Sequence, residues 1–128
     1  MRILLDTHTL LWFVNNNPQI SHKAKHVLAS GANEILLSAC TLWEIAIKVG
    51  LNKLQLNKPY EAFVNKAIAD NNLALLPITV QHGTALITLP MCHRDPFDRM
   101  LVAQAMVERV PIISCDTALD AYPVTRIW

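Results

Sequence analysis

Charge is scarce in this chain. Only 16% of its 128 residues are Asp, Glu, Lys or Arg, and they sum to +1. So even a balance gives no support for a nucleic-acid partner at the level of bulk charge. Cysteine is also scarce. Cys40, Cys92 and Cys115 are odd in number and form no CxxC pair, which argues against a disulfide framework and against a zinc ribbon. Each stands beside apolar residues and reads as a small core residue; the set fits a reducing cytoplasm. Runs of about 18 apolar residues are missing, so no membrane-crossing helix is expected. Asp6, His8 and Asn15 interrupt the apolar N-terminal run and no small-residue cleavage site follows it, so no signal peptide is expected. Internal repeats, low-complexity tracts and a phosphate-cradling P-loop are absent as well.

Apolar residues, at 52%, are abundant. That is rich even for a globular domain, and the excess suggests apolar surface beyond the core that a partner would cover. A chain of this length makes one domain and buries roughly two-thirds of its unfolded surface. Short apolar runs at Ile3–Leu5, Glu34–Ser38, Leu73–Leu76, Pro111–Ser114 and Val124–Ile127 read as buried strands. Between them lie helical patterns. His8 to Val14 is apolar on most sides, and Ser21 caps a stretch to Ala29 that Gly31 stops. Leu42, Ile45, Ala46 and Val49 repeat at helical spacing over Thr41–Val49, with Gly50 as the stop. Helices are also expected over 59–70, 79–87 and, most strongly, from Asp95 to about Arg109, where Asp95 is a good N-cap and Pro96 suits the first helical position. Thr117–Ala121 reads as a turn or short helix. Strands alternating with helices imply an α/β domain with a mostly parallel sheet.

There are only ten acidic residues, so their placement is informative. In open α/β sheets functional groups collect beyond the carboxyl ends of the strands. Asp6 follows strand one and Asp116 follows strand four. Glu44 is placed in the first turn of the helix leaving strand two, and Asp98 in the first turn of the helix entering strand four. All four therefore map to one edge of the sheet. At about 4 Å and an effective dielectric near 20, two carboxylates repel by roughly 4 kcal/mol. A hard divalent cation, Mg²⁺ or Mn²⁺, removes that conflict. It can also orient a water and stabilise charge on a phosphoryl group. Each acid has a plainer reading. Thr41 to Glu44 matches a capping box, and Glu44 can pair with Lys48. Asp98 complements a helix dipole, and Asp6, Asp95 and Asp116 can cap helices. None of these explains the shared edge.

Leu4-Leu5-Asp6-Thr7-His8 resembles the opening motif of a PIN domain. Thr41-Leu42-Trp43-Glu44-Ile45-Ala46-Ile47-Lys48 resembles its second acidic motif. His93-Arg94-Asp95-Pro96-Phe97-Asp98-Arg99 resembles the third, in a branch common among bacterial VapC-type toxins, and Ser114-Cys115-Asp116 resembles the fourth. The ending, Tyr122-Pro123-Val124 to Ile127-Trp128, matches too. The resemblance spans residues 1–128 as one domain. It implies a three-layer α/β/α fold with a parallel sheet of about five strands. It implies Mg²⁺- or Mn²⁺-dependent hydrolysis of RNA phosphodiesters by a toxin whose site a co-expressed antitoxin blocks, and a homodimer. Carried over by position, Asp6, Glu44, Asp98 and Asp116 are the catalytic acids. Asp6, Asp98 and Asp116 would hold the metal and Glu44 would position or deprotonate the attacking water. Asp95 is an extra acid of this branch. Thr7 and Ser114 are candidate donors that orient Asp6 and Asp116, or local backbone partners. Arg94 and Arg99 are candidate phosphate contacts or surface charges. His8 and His93 read as structural, and Trp12, Trp43 and Trp128 as core or dimer packing rather than base-stacking groups.

Overall fold

In the computed structural model, residues 1–93 and 95–128 are described. Arg94, a candidate phosphate contact, lies outside them. Five strands, β1 (Arg2–Leu5), β2 (Glu34–Ser38), β3 (Ala74–Leu76), β4 (Ile112–Ile113) and β5 (Arg126–Ile127), form one sheet in the order β3-β2-β1-β4-β5. Every pairing is parallel: Ile3 stands opposite Ile35, Leu5 opposite both Leu37 and Ile113, and Ile112 opposite Arg126. Beyond their first residues β1 and β2 are buried on both faces, as is β4, as a parallel sheet between helices demands, while Leu75 on the edge strand β3 is exposed. The last two strands are shorter than the apolar runs at 111–114 and 124–127 suggest.

Alternation along the strands divides the core in two. Leu4, Leu36 and Ile112 point to one face, while Ile3, Leu5, Ile35, Leu37 and Ile113 point to the other. The first face is covered by helices α5 (Val80–Thr88) and α6 (Pro96–Glu108), which bring Leu86, Leu101, Val102 and Ala105. The second is covered by α1 (Thr7–Val14), α2 (His22–Ala29) and α4 (Tyr60–Asn71), through Leu10, Ala24, Leu28 and Ile68. Helix α3 (Ala39–Gly50) reaches both, with Cys40 on one side and Ile45 on the other. The expected three-layer α/β/α architecture is what the chain adopts.

Three local expectations are corrected. Helix α3 starts at Ala39, capped by Ser38, whose hydroxyl accepts from the Cys40 amide. Thr41 is thus inside the helix, Glu44 is in its second turn, and no capping box joins them. The capping box in this fold belongs to α5, between Thr79 and His82. Gly50 is the last residue of α3, but glycine does not supply the left-handed stops after the helices. Among the described residues Asn16, Asn52, Asn72 and Arg109 take the left-handed conformation after α1, α3, α4 and α6, and no glycine does. Asn tolerates that region because its short amide bonds locally. Finally, Cys40 is buried but Cys92 is exposed. No helix among the described residues is long and apolar enough to cross a membrane.

Candidate active site

The strand order reverses direction between β1 and β4: β2 and β3 lie on one side of β1, β4 and β5 on the other. Such a switch point leaves a crevice at the carboxyl edge of the sheet. Asp6 and the Ser114-Cys115-Asp116 segment leave β1 and β4 on either side of it. Helix α6 runs back toward the start of β4, so its N-terminus, with Asp98 at the third position, meets them there.

Asp6 is 5% exposed. It caps α1, its carboxylate accepting from the Thr9 amide at 2.8 Å. Burial pushes its pKa above the usual carboxylate range, against hydrogen bonds from Ser114 and Thr9. Ser114 is fully buried; its hydroxyl accepts from the Asp116 backbone amide at 3.0 Å and stands close enough to Asp6 to oppose the rise in its pKa. Asp116 caps the 3₁₀ turn at Thr117–Ala121 through the Ala118 amide. Burial raises its pKa, but hydrogen bonds from His93 and the Ala118 amide, with the charges of His93 and Arg126, outweigh that and leave it lowered. Asp98 is pushed up to about 7, first by burial and then by the charge of Asp95, with Asp6 and Glu44 adding to it and His93 opposing.

His93, expected to be structural, stands beside two of the candidate acids. Its Nε2 lies 2.9 Å from an Asp116 oxygen and 3.3 Å from an Asp98 oxygen. Its Nδ1 accepts from the Asp95 amide at 3.0 Å. That acceptor role places the ring proton on Nε2 in the neutral form, aimed at the two carboxylates. The signal in the sequence was the His-x-Asp spacing before a proline-led helix, which ties the ring back to the helix cap. Asp95 is that cap, accepting from the Phe97 and Asp98 amides.

Ligand atoms of His93, Asp98 and Asp116 lie within 4.8 Å of one another. Asp6, His8, Trp12, Asp98, Cys115 and Asp116 line one open cavity of about 340 Å³. The donor set suits a divalent cation: three carboxylates of hard oxygens, one holding its proton to about pH 7 because burial, and then the charge of Asp95, disfavours its ionised form. Glu44 is 2% exposed and stands off the cavity wall, near enough for its charge to act on Asp98. One of its oxygens accepts from Thr7 at 2.7 Å and the other pairs with Lys48. Thr7 thus orients Glu44 rather than Asp6. Arg99 donates to the Leu89 carbonyl at 3.1 Å, and its Nε is buried without a partner among the described residues; its guanidinium braces the loop before α6. Trp43 is 59% exposed, packed edge-on against Phe97 at 5.3 Å, so core packing does not describe it.

A family model described as PIN domain matches residues 3–124. No curated protein matches the chain by sequence. Among solved structures, the chain is similar to VapBC2 from Rickettsia felis bound to a DNA fragment from their promoter. The identity is 15%, covering 98% of this chain and 97% of that one, with a TM-score of 0.74. It is also similar to FitAcB from Neisseria gonorrhoeae (19% identity, 97% and 95% covered, TM-score 0.63). A third is VapBC-5 of the VapBC family of toxin-antitoxin systems, from Mycobacterium tuberculosis (16% identity, 98% and 97% covered, TM-score 0.62). At these identities the likeness is one of fold.

Proposed function

The chain belongs to the PIN-domain family, and from that premise we propose that residues 1–128 act as one metal-dependent endoribonuclease domain, the toxin of a toxin–antitoxin pair. The observation that carries the reading is the meeting of Asp6, Asp98 and Asp116 in one cavity at the β1/β4 crevice. These three would hold Mg²⁺ or Mn²⁺. When bound, the ion supplies positive charge against the phosphoryl oxygens and makes a water more acidic.

The side chains of this chain do the rest. Ser114 fixes the backbone turn that carries Asp116 and stands beside Asp6. His93 orients Asp116 through its Nε2–H and leaves the second lone pair of that oxygen free. Asp98 is poised to give up its proton near neutral pH when positive charge enters the cavity. Glu44, fixed by Thr7 and Lys48 behind the cavity wall, acts on the site through its charge on Asp98. The two carboxylate-to-donor pairs around it stop its side chain from swinging into the cavity.

The antitoxin partner is supported by the toxin–antitoxin assemblies the fold resembles. Exposed Val80 and Ile87 on α5, at 88% and 85%, supply apolar surface of the kind a homodimer would cover. Purified protein should cleave RNA with Mg²⁺ or Mn²⁺ and stop with EDTA. Asp98→Asn should lower the rate at least about 100-fold, the usual cost of losing a group at a reacting phosphate, with an unchanged circular-dichroism spectrum. Full cleavage by folded Asp98→Asn overturns the site. Induced expression in a bacterium should arrest growth, and the product of a short adjacent gene should relieve it.

A further inference from the structure

The three acids of the cavity are not equally well carried. Asp6 follows a strand of four residues and caps a helix of eight. Asp98 lies inside a helix of thirteen. Asp116 has neither support. Strand β4, which delivers it, consists of Ile112 and Ile113 alone. The ladder to β5 ends where the Ser114 amide donates to the Ile127 carbonyl at 3.2 Å. From there the chain runs through Cys115 and Asp116 into the 3₁₀ turn at Thr117–Ala121. A single 3₁₀ turn has poorer hydrogen-bond geometry than an α-helix and is a weak anchor for a side chain that must keep its place.

One side chain makes up the difference. Arg126, on β5, donates from Nε and Nη2 to the two oxygens of Asp120, at 2.9 and 3.1 Å. Its Nη1 donates to the Ser114 carbonyl at 3.1 Å. A single guanidinium thus grips the chain on both sides of Asp116, at Ser114 before it and at Asp120 after it. The group is planar and rigid, so the bidentate hold on Asp120 also fixes the direction of Nη1. Arg126 is itself anchored, because the residues flanking it, Thr125 and Ile127, accept from the Ile112 and Ser114 amides of the neighbouring segment. Its side chain is 18% exposed and that of Asp120 is 54% exposed. An ion pair so open to water adds little to folding. What the arrangement supplies is geometry.

We propose that Arg126 is a positioning residue: by clamping Ser114 and Asp120 it holds the segment between them so that the Asp116 carboxylate faces the cavity before an ion arrives. The proposal rests on the metal-dependent nuclease reading and adds a residue outside the acids to that site. A ligand already in place costs less to order when the ion binds. Looseness of about 1 Å in a supporting shell is enough to spoil such a site. The clamp therefore matters to metal binding far more than to stability, and this is where it parts from a merely structural contact.

The test reads Mn²⁺ affinity without RNA, from the electron paramagnetic resonance signal of the free ion. It also reads hydrogen exchange at the Ala118 and Leu119 amides, which donate to the side chain and the carbonyl of Asp116. Arg126→Gln should bind Mn²⁺ about tenfold more weakly, the lower end of the usual cost of losing a group that orients a ligand. Both amides should exchange faster, with a melting temperature near the parent's. Arg126→Lys keeps the charge without the fork and should behave as Arg126→Gln does. Asp120→Ala, which frees the other end of the clamp, should change both readings in the same direction. Arg2→Gln removes an equal charge at the opposite edge of the sheet, where Arg2 pairs with Glu34 and Glu108, and should match the parent. At saturating Mg²⁺, Arg126→Gln should lower kcat for RNA and leave KM unchanged. Full restoration by Arg126→Lys means that charge alone acts and overturns the clamp. A raised KM with parent-like Mn²⁺ affinity, the mark of a guanidinium that touches RNA, overturns it too. If Arg126→Gln fails to fold, Asp120→Ala, at an exposed residue, decides by the same readings. If the parent binds Mn²⁺ and cuts RNA and the variants match it, the clamp falls and the nuclease stands. If the parent neither binds Mn²⁺ nor cuts, the nuclease reading falls, and faster exchange in the variants still shows that Arg126 holds the turn.

Discussion

At the residue scale, the buried contact between Thr7 and Glu44 shows what adjacency in sequence conceals. Thr7 follows Asp6 directly and was expected to serve it. Once α1 begins, successive side chains turn by about 100°, and Thr7 faces α3 instead. Its hydroxyl reaches Glu44 Oε1 at 2.7 Å in a site closed to water. Thr7→Val should cost about 1–3 kcal/mol, the penalty for leaving a buried acceptor without its donor, measured by urea denaturation. Cleavage should fall as well, because Glu44 loses one of its two anchors. Thr7→Ser should restore both. If Thr7→Val unfolds at the parent's urea concentration, the hydrogen bond carries no weight.

At the scale of the element, α6 decides the site. Asp95-Pro96 announced its start in sequence, and the structure agrees: Asp95 accepts from two amides of the first turn. That same carboxylate is, after burial, the largest cause of the raised pKa of Asp98. The two roles separate by mutation. Asp95→Ala should lose the cap at about 0.5–2 kcal/mol, whereas Asp95→Ser should keep most of that stability. Both should lower the pKa of Asp98, read by NMR titration of its side chain without metal. The start of α3 was less legible. Ser38 and Thr41 are both competent caps, and local pattern favoured Thr41 because Glu44 follows it by three. Pairing of Ser38 with Leu76 at the end of the sheet, and the bond from its hydroxyl to Gln104, settle on Ser38. That advances the cap of α3 by three residues, from Thr41 to Ser38, and carries Glu44 inward.

At the scale of the whole molecule, gathering acids sets a pH dependence. The folded chain keeps the Asp98 proton up to about pH 7, while an unfolded chain releases it near 4. Between these values the unfolded state binds fewer protons than the folded one, so stability falls as pH rises. Asp6, also raised, acts in the same direction. Asp116, lowered, acts oppositely: its contribution is present above the ordinary carboxylate range and is lost as acid is added through it. Metal-free protein should therefore melt at a lower temperature at pH 8 than at pH 6. Millimolar Mg²⁺ should raise the Tm more at pH 8, where no proton must be displaced. Equal melting temperatures with and without Mg²⁺ at both pH values would mean that these acids do not bind the ion.

Sequence alone determined the elements and their order, because hydrophobic period and capping chemistry are local. Ile3-Leu4-Leu5 must be a buried strand, and Asp95-Pro96 must open a helix. It also placed the acids at one edge, because a helix returning to a parallel strand can only start there. What it could not settle was which way each side chain faces and what stands beside it. The β1/β4 switch point, the turn of Thr7 toward Glu44 and the bridge of His93 to Asp98 and Asp116 are contacts between segments far apart in the chain. Those depend on how the layers pack. Four acids around a cation were readable one by one as caps and dipole partners; only packing turned three of them into the wall of a single cavity.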